Sequence, residues 1–384
     1  MMTVQKKSNS LQELHQYGQS VWLDYIRRSL IDSGELKRLV EQDGVRGVTS
    51  NPSIFEKAIT GSDEYSGALA ALQQRPELDA KGMYEIIAIR DIQDAADVLR
   101  VVYDQSNRKD GFVSLEVAPT LANDAKGTIE EARRLWRSVN RPNLMVKVPG
   151  TKESLPAIEQ LIGEGININV TLLFSLEAYV DVAQAYMAGV ERLVASNGNP
   201  ANVASVASFF ISRIDTLIDA MLDEKLKAAT SDASKKAIED LHGKAAVANA
   251  KLTYRRYHEL YSSPRWQKLA ALNAQTQRLL WASTSTKNPK YRDVFYVEEL
   301  IGTDTVNTMP PVTVDAYRDH GKPRNSLVES VENAEQTMKD LEKAGISMHK
   351  VTEKLLEDGI KLFADAFHQL LTAVDASRKV RASA

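Results

Sequence analysis

The 384-residue sequence contains no cysteine, and this absence excludes several classes of chemistry. Disulfides, thiolate nucleophiles, iron–sulfur clusters and cysteine-ligated zinc sites all require cysteine. No segment approaches the roughly 18 consecutive apolar residues that a transmembrane helix needs. The stretch from Met1 to Gln12 is polar and lacks the apolar core of a secretory signal. We therefore expect a cytoplasmic protein with no membrane association.

Motifs for nucleic acids, metals and cofactors are also missing. Lys and Arg number 48 and Asp and Glu 51, whereas nucleic-acid-binding proteins usually carry a basic excess. None of the six histidines stands three or four residues from another, the spacing of a helical metal site. No G-x-G-x-x-G fingerprint follows a strand-like run, and no G-x-S-x-G elbow occurs. We expect no metal, no cofactor and no nucleic-acid partner.

The sequence instead alternates short apolar runs with longer stretches of helical periodicity. Examples of the latter are Ile86–Val102 and Leu355–Val374. Eight short runs read as strands: Val21–Ile26, Gly47–Pro52, Phe112–Val117, Leu144–Pro149, Ile166–Leu173, Ala204–Phe210, Arg278–Thr284 and Asp304–Met309. Eight strand–helix units in about 300 residues favour an α/β fold of the (β/α)₈ TIM-barrel type with extra helices. An open doubly wound sheet is the alternative.

We expect residues 1–384 to form a single barrel domain with two helical additions. The first lies at about 215–275, where the Ala-, Lys- and Glu-rich stretch Asp215–Tyr261 predicts two long helices joined near Thr230. The second is a C-terminal helix at about 350–376. At the boundary after the second strand, Ser53 is the expected helix cap.

Charged residues inside three of the strands are the most informative feature. Asp24, Glu116 and Lys147 each interrupt an apolar run. Strands of a parallel barrel are covered on both faces, so a charged side chain within one lowers stability unless it is paired. An unpaired charge is retained where the function of the protein requires it. If all three point inward near the carboxyl ends of their strands, they meet where barrel enzymes carry out catalysis. Exposed positions or a structural ion pair are the alternative interpretation.

One lysine and two carboxylates are sufficient for carbon–carbon bond cleavage through a Schiff base. Desolvation disfavours an ammonium ion, and a neutral amine attacks a carbonyl to form a Schiff base. The protonated imine then accepts the electrons of a neighbouring C–C bond. The carboxylates move protons for the carbinolamine and for the hydroxyl at the cleaved bond. Lys147, Glu116 and Asp24 are therefore the candidate catalytic residues.

In these residues and the motifs around them, the chain resembles the transaldolases of the longer bacterial subfamily. The resemblance extends over residues 20–310 and rests on motifs in the family's order. They are Val48–Ser53 (VTSNPS), Leu115–Val117 (LEV), Val146–Thr151 (VKVPGT), Gly165–Ser175 (GININVTLLFS) and Ser208–Arg213 (SFFISR). It implies the (β/α)₈ barrel of the Schiff-base aldolases.

The resemblance also implies roles at individual positions. Lys147 matches the Schiff-base lysine, Glu116 the glutamate that moves protons through a water, and Asp24 the aspartate that takes the hydroxyl proton. The implied substrate contacts are Asn51 and Asn169 for hydroxyls, Thr171 for the shuttle water, Ser208 and Arg213 for phosphate, and further contacts at Thr49 and Ser283.

One loop departs from the family pattern. Where many relatives have Ser-x-x-Arg-Asn, this chain has Ser283 to Asn288 with Lys287 as the cation. We expect Lys287 to be a second phosphate contact, with a solvated loop lysine as the alternative. Its polar flanks argue against an imine at Lys287.

The implied reaction transfers a dihydroxyacetone unit from sedoheptulose 7-phosphate or fructose 6-phosphate to glyceraldehyde 3-phosphate or erythrose 4-phosphate, in the non-oxidative pentose phosphate pathway. The partners expected are sugar phosphates, and the chain is expected to be a monomer or homodimer. An aldolase that releases free dihydroxyacetone and a non-catalytic sugar-phosphate-binding protein are the alternatives. The C-terminal helix, with Phe363 and Phe367 on its apolar stripe, either covers the barrel mouth or packs as an ordinary wall helix.

Overall fold

Eight parallel strands close into a barrel in chain order, which confirms the predicted fold and excludes the open sheet. The structure, a computed structural model, describes the backbone of residues 9–382 and the side chains of residues 9–376. The strands are β1 Gln19–Asp24, β2 Gly47–Thr49, β3 Phe112–Glu116, β4 Leu144–Pro149, β5 Ile168–Leu173, β6 Ser205–Phe210, β7 Arg278–Ala282 and β8 Thr305–Met309. Strand β8 pairs with β1, with Gln19 opposite Thr305 and Leu23 opposite Met309. Seven of the eight predicted runs contain one strand each, and the first, Val21–Ile26, overlaps β1 but begins and ends two residues later.

Helices surround the barrel and fill its connections. The α-helices are α1 Ser10–Glu13, α2 Arg28–Asp32, α3 Glu35–Arg38, α4 Pro52–Thr60, α5 Ser66–Leu72, α6 Ala80–Gln105, α7 Ala125–Val139, α8 Leu155–Gly163, α9 Leu176–Ala195, α10 Ser212–Ala228, α11 Asp232–Glu239, α12 Ala245–Tyr261, α13 Pro264–Ala270, α14 Phe295–Glu299, α15 Pro311–His320, α16 Val331–Lys343 and α17 Met348–Ala382. The 3₁₀ turns are Leu14–Tyr17, Asp63–Tyr65, Pro119–Leu121, Lys152–Ser154, Pro200–Asn202 and Ser326–Val328, and one π turn spans Leu39–Asp43. No helix within the described residues is long and apolar enough to cross a membrane.

Two local expectations were wrong. Asn51, not Ser53, caps α4, and its side-chain oxygen accepts the backbone N–H of Ile54 at 3.0 Å. Pro52 takes the first helical position, which leaves the cap to the residue before it. The stretch Asp215–Tyr261 holds parts of three helices, α10 to α12, rather than two. The break near residue 230 is present, but a second break follows α11, where Gly243 adopts the left-handed conformation with a φ of 68°.

The two ends of the barrel differ in chemistry. At the amino ends of the strands, the buried side chains of Arg278 and Asp110 form an ion pair at 2.9 Å, and Ser20 hydrogen-bonds to both. The buried charges at the amino ends of the strands are therefore paired with each other. At the carboxyl ends, α17 packs against α4, α6, α10 and the turn at Pro119–Leu121. The C-terminal helix therefore lies across the barrel mouth, where the polar side chains gather.

Candidate active site

The lysine of β4 lies inside the barrel beside the glutamate of β3. Lys147 is 4% exposed, and its Nζ lies 3.2 Å from Oε2 of Glu116. The same nitrogen donates a hydrogen bond to the carbonyl oxygen of Ser50 at 3.2 Å. Glu116 stands opposite Lys147 in the register of the two strands, so their neighbourhood follows from the strand order. The amine therefore lies in a dry site with an acid in contact.

Asp24 ends β1 and is held in place by one hydroxyl, which a second hydroxyl orients. Thr49 donates a hydrogen bond to Asp24 Oδ1 at 2.7 Å. The Thr49 oxygen also lies 2.7 Å from the Thr308 hydroxyl, which must be the donor because the Thr49 proton is already used. Asp24 keeps partial exposure because it lines the pocket at the barrel mouth. The carboxylate thus has a fixed orientation and remains accessible to a ligand.

Burial changes the acidity of both carboxyl groups in the same direction. Desolvation raises the pKa of Asp24, and the Lys147 ammonium and the Thr49 hydrogen bond oppose that rise. Desolvation likewise raises the pKa of Glu116, opposed by Lys147 and reinforced slightly by the charge of Asp24. Each group therefore accepts a proton more readily than an exposed carboxylate does. Carboxyls of raised pKa beside an amine are typical of proton-transfer sites.

Asn169 lies next to Lys147 in the register of β5 and is clamped by two serines. Its Nδ2 donates to Ser114 Oγ at 3.1 Å, and Ser208 Oγ donates to its Oδ1 at 2.7 Å. Ser208 is 2% exposed, so its hydroxyl orients Asn169 deep in the pocket wall. The resemblance implies that Ser208 contacts the phosphate of the substrate. In the structure, the Ser208 hydroxyl donates its proton to the side-chain amide of Asn169 instead.

Thr171 lies at a bulge of β5, and its hydroxyl forms no hydrogen bond with any residue that the structure describes. The register between β5 and β6 shifts between Val170 and Leu173, and Leu172 has a φ of 64°. Bulges of this kind re-aim side chains next to active sites. The buried Thr171 hydroxyl has no hydrogen-bond partner among the described residues, and the Glu116 oxygens have only the Lys147 ion pair. Buried polar groups are normally satisfied, so these atoms are available to a ligand.

Two cations without acidic partners stand after β6 and β7. Arg213, the second residue of α10, is partly buried; its guanidinium packs 5.3 Å from the ring centre of Phe210 and pairs with no described carboxylate. Burial lowers the pKa of Arg213, an effect that an anion would offset. Lys287 is exposed, and its Nζ donates to Ser285 Oγ at 2.9 Å. Its exposure agrees with the expectation that it is not the dry amine.

Ser283 and Asn51 both form hydrogen bonds that fix the backbone at the start of a helix. Ser283 has a φ of 57°, its carbonyl accepts the Ser212 N–H at 3.0 Å, and the two hydroxyls lie 2.9 Å apart. It ties the end of β7 to the start of α10. Asn51 uses its side-chain oxygen as the cap of α4, directly after β2.

These side chains meet in one pocket of about 190 Å³ at the carboxyl ends of the strands. Its lining includes Asp24, Thr49, Lys147, Thr171, Ser208, Phe210, Arg213, Ser283, Lys287 and Thr308. Eight of the eleven predicted site residues line this pocket. Glu116 and Asn169 join them through their contacts with Lys147 and Ser208, whereas Asn51 is not among the lining residues. No group of three potential metal ligands occurs among the described residues.

The C-terminal helix reaches the amine. The ring centre of Phe363 lies 5.6 Å from Lys147 Nζ, and Phe363 is buried. Phe367, one turn later, packs edge-on against Tyr84. At Gly359, one turn earlier, an added Cβ would lie 3.0 Å from Leu172 Cδ2, so the glycine allows close approach to the β5 bulge. Helix α17 therefore covers the end of the pocket that holds Lys147.

The sequence interpretation missed the hydroxyls that hold the site together. Ser114 and Thr308 contact Asn169 and Thr49, yet neither was singled out. Ser114 stands two residues before Glu116 and therefore faces the same side of β3. That period of two was the signal that could have identified it.

Comparisons with known proteins agree with this arrangement. A family model described as Transaldolase/Fructose-6-phosphate aldolase matches residues 21–374. The chain is 46% identical over 374 residues to "Transaldolase" of Trichodesmium erythraeum, covering 97% of this chain and 98% of that protein. It is 48% identical over 376 residues to "Transaldolase 2" of Nostoc punctiforme, with 97% and 98% covered. It is 42% identical over 361 residues to "Transaldolase" of Neisseria gonorrhoeae, with 94% and 98% covered. The chain therefore belongs to the transaldolase/fructose-6-phosphate aldolase family.

Proposed function

We propose that this enzyme, a transferase of the transaldolase type, moves a dihydroxyacetone unit between sugar phosphates through an imine on Lys147. The observation that carries the proposal is the buried Lys147 amine, 3.2 Å from Glu116 and in one pocket with Asp24. The electrons of the broken bond move into the imine, so the route needs no cofactor.

The first step is imine formation. Glu116 accepts a proton from the Lys147 ammonium, with which it is in contact, and the neutral amine attacks the ketose carbonyl carbon. The carbinolamine hydroxyl then takes the proton from Glu116 and leaves as water. The unused hydroxyl of Thr171 is placed to hydrogen-bond that water.

The second step is carbon–carbon cleavage. Asp24 accepts the proton of the hydroxyl beside the breaking bond, and that oxygen becomes the carbonyl of the departing aldose phosphate. The bonding electrons move into the iminium and leave a three-carbon enamine on Lys147. The enamine carbon then attacks the aldehyde of the acceptor, Asp24 returns its proton to the new hydroxyl, and water releases the product. The Thr49 hydrogen bond fixes the Asp24 oxygen for both transfers.

The remaining side chains bind the substrate ends. Arg213 and Lys287 supply the positive charges for the phosphate group, a guanidinium being suited to two phosphate oxygens. The clamped amide of Asn169 presents a fixed donor and acceptor to sugar hydroxyls, and Asn51 contributes its amide nitrogen at the end of β2.

Transfer rather than release requires that the enamine be protected from protons. Phe363 over the amine and Phe210 in the pocket wall limit water at that carbon. This cover, together with relatives named transaldolase at 42–48% identity, favours transfer over release of free dihydroxyacetone.

The wider assignments belong to the same proposal. The substrates are sedoheptulose 7-phosphate or fructose 6-phosphate as donor and glyceraldehyde 3-phosphate or erythrose 4-phosphate as acceptor, in the non-oxidative pentose phosphate pathway. The protein forms one cytoplasmic domain that works as a monomer or homodimer.

Borohydride trapping tests the proposal. Reduction in the presence of fructose 6-phosphate, followed by peptide mass mapping, should place a stable adduct on Lys147 and none on Lys287. Lys147→Met should abolish the adduct, and Lys287→Met should retain it. A folded wild type without an adduct on any lysine would support a binding protein instead, and free dihydroxyacetone in place of transferred product would support the aldolase.

A further inference from the structure

Helix α10 carries two buried carboxylates that the proposed mechanism does not use. Asp215 and Asp219 stand one turn apart and are 1% and 7% exposed. Neither forms an ion pair with a described residue, so hydrogen bonds alone compensate their burial. Arg213, a proposed phosphate ligand, lies on the same helix, two residues before Asp215.

Each carboxylate bridges the same two segments of the chain. Asp215 Oδ1 accepts the Ala246 N–H at 2.7 Å, and its Oδ2 accepts the Tyr296 hydroxyl at 2.9 Å. Asp219 Oδ1 accepts the Gly243 N–H at 3.0 Å, and its Oδ2 accepts the Tyr291 hydroxyl at 2.6 Å. Gly243 lies in the turn before α12, and Ala246 is the second residue of that helix. Tyr291 follows Lys287 in the connection between β7 and α14, and Tyr296 is the second residue of α14.

The connection that carries Lys287 is thus fastened to α10 at both ends. At its start, Ser283 accepts the Ser212 N–H, and the two serine hydroxyls are 2.9 Å apart. At its far end, the two tyrosines reach the two aspartates. Lys287 lies between these anchors, and it lines the same pocket as Arg213.

The helical insertion between β6 and β7 completes the support. Gly243, with its φ of 68°, lies so close to the Tyr291 ring that an added Cβ would come within 2.7 Å of its Cζ. The turn therefore both seats the tyrosine and donates to Asp219. A fully hydrogen-bonded buried network of this kind makes the segments that it joins rigid.

We propose that Asp215 and Asp219 are positioning residues for the phosphate group, holding residues 283–296 on α10 so that Lys287 and Arg213 bind one phosphate together. The inference rests on the proposed function, and it gives the insertion α11–α12 the role of a support for the phosphate-binding loop. The ligand it concerns is the phosphate monoester of the sugar, not its carbon chain.

The test removes the two tyrosine hydroxyls. Tyr291→Phe, Tyr296→Phe and the double variant are compared with Tyr186→Phe, a buried control whose hydroxyl donates to the Gln275 carbonyl at 2.6 Å away from the loop. The readout is the half-saturating concentration for borohydride trapping on Lys147, with fructose 6-phosphate and with dihydroxyacetone, which carries no phosphate.

We expect the double variant to raise the value for fructose 6-phosphate by about tenfold and to leave the value for dihydroxyacetone within about twofold of wild type. The control should change neither. In a Lys287→Ala background the tyrosine substitutions should add little, because the cation that they position is gone. If the double variant does not fold, Tyr291→Phe alone supports the same comparison with a smaller shift.

Equal shifts for both ligands, or none for either, would overturn the positioning role. A wild type that traps neither ligand would instead remove the proposed function, so the two failures are distinguishable.

Discussion

Replacing Asp215 with asparagine should change how stability depends on pH. Burial raises the pKa of Asp215 from its ordinary 3.8 to about 7; the charge of Asp219 adds to the rise, and the hydrogen bonds from Ala246 and Tyr296 oppose it. The unfolded chain therefore loses this proton at a lower pH than the folded protein does, and the folded state loses stability between about pH 4 and about pH 7. At about 1.4 kcal/mol for each tenfold difference in proton affinity, the full loss is about 4 kcal/mol.

Urea unfolding of wild type and Asp215→Asn at about pH 5 and about pH 8 measures this effect. Asparagine can keep both contacts, since its oxygen accepts the Ala246 N–H and its amide donates to the Tyr296 oxygen. The substitution then removes the ionisation alone. Between the two pH values, the variant should gain about 3 kcal/mol in unfolding free energy relative to wild type. Parallel pH dependences would refute the reasoning, because they would mean that folding does not change the proton affinity of this carboxyl.

Three further substitutions test the catalytic assignments. Glu116→Gln keeps the side-chain shape but removes the proton acceptor beside Lys147, so the rate of borohydride trapping should fall about 10²- to 10⁴-fold; an unchanged rate would contradict the role. Thr49→Val removes the donor to Asp24, and we expect about tenfold slower cleavage of fructose 6-phosphate with trapping unaffected. A loss of trapping to the same extent would mean that Thr49 acts earlier. Phe363→Ala uncovers the amine at a stability cost of about 3–5 kcal/mol, and chromatography should show more free dihydroxyacetone per turnover. A folded variant that releases no more than wild type would show that the ring does not protect the enamine.

The barrel and the clustering of Asp24, Glu116 and Lys147 were predictable because they depend on short-range patterns. Charges within apolar runs identify Asp24, Glu116 and Lys147 without any knowledge of tertiary structure, and closure of the barrel in chain order brings them together. The roles taken from the resemblance add the phosphate end, where Arg213 and Lys287 do line one pocket.

The rest depended either on contacts between residues far apart in the chain or on local signals that the sequence interpretation did not use. That Ser208 would donate to Asn169 could not be known without the β5–β6 register, which a bulge alters. The cap of α4 was misassigned because the proline at the first helical position was not used to fix the boundary. The third helix of the insertion follows from the left-handed turn at Gly243, a signal that the sequence contained.

Under the proposed roles, the residues that react with the substrate and the residues that bind its phosphate lie in different parts of the barrel. Strands β1, β3, β4 and β5 carry Asp24, Glu116, Lys147 and Asn169, whereas the segments after β6 and β7 carry the cations Arg213 and Lys287. Related sequences can therefore change the length and charge of the substrate that they accept through substitutions after β6 and β7. Such substitutions leave Asp24, Glu116 and Lys147 unchanged. To change the acceptor that the enzyme prefers, substitutions should begin in the connection between β7 and α14, which carries Lys287, and in the insertion α11–α12 that packs against it.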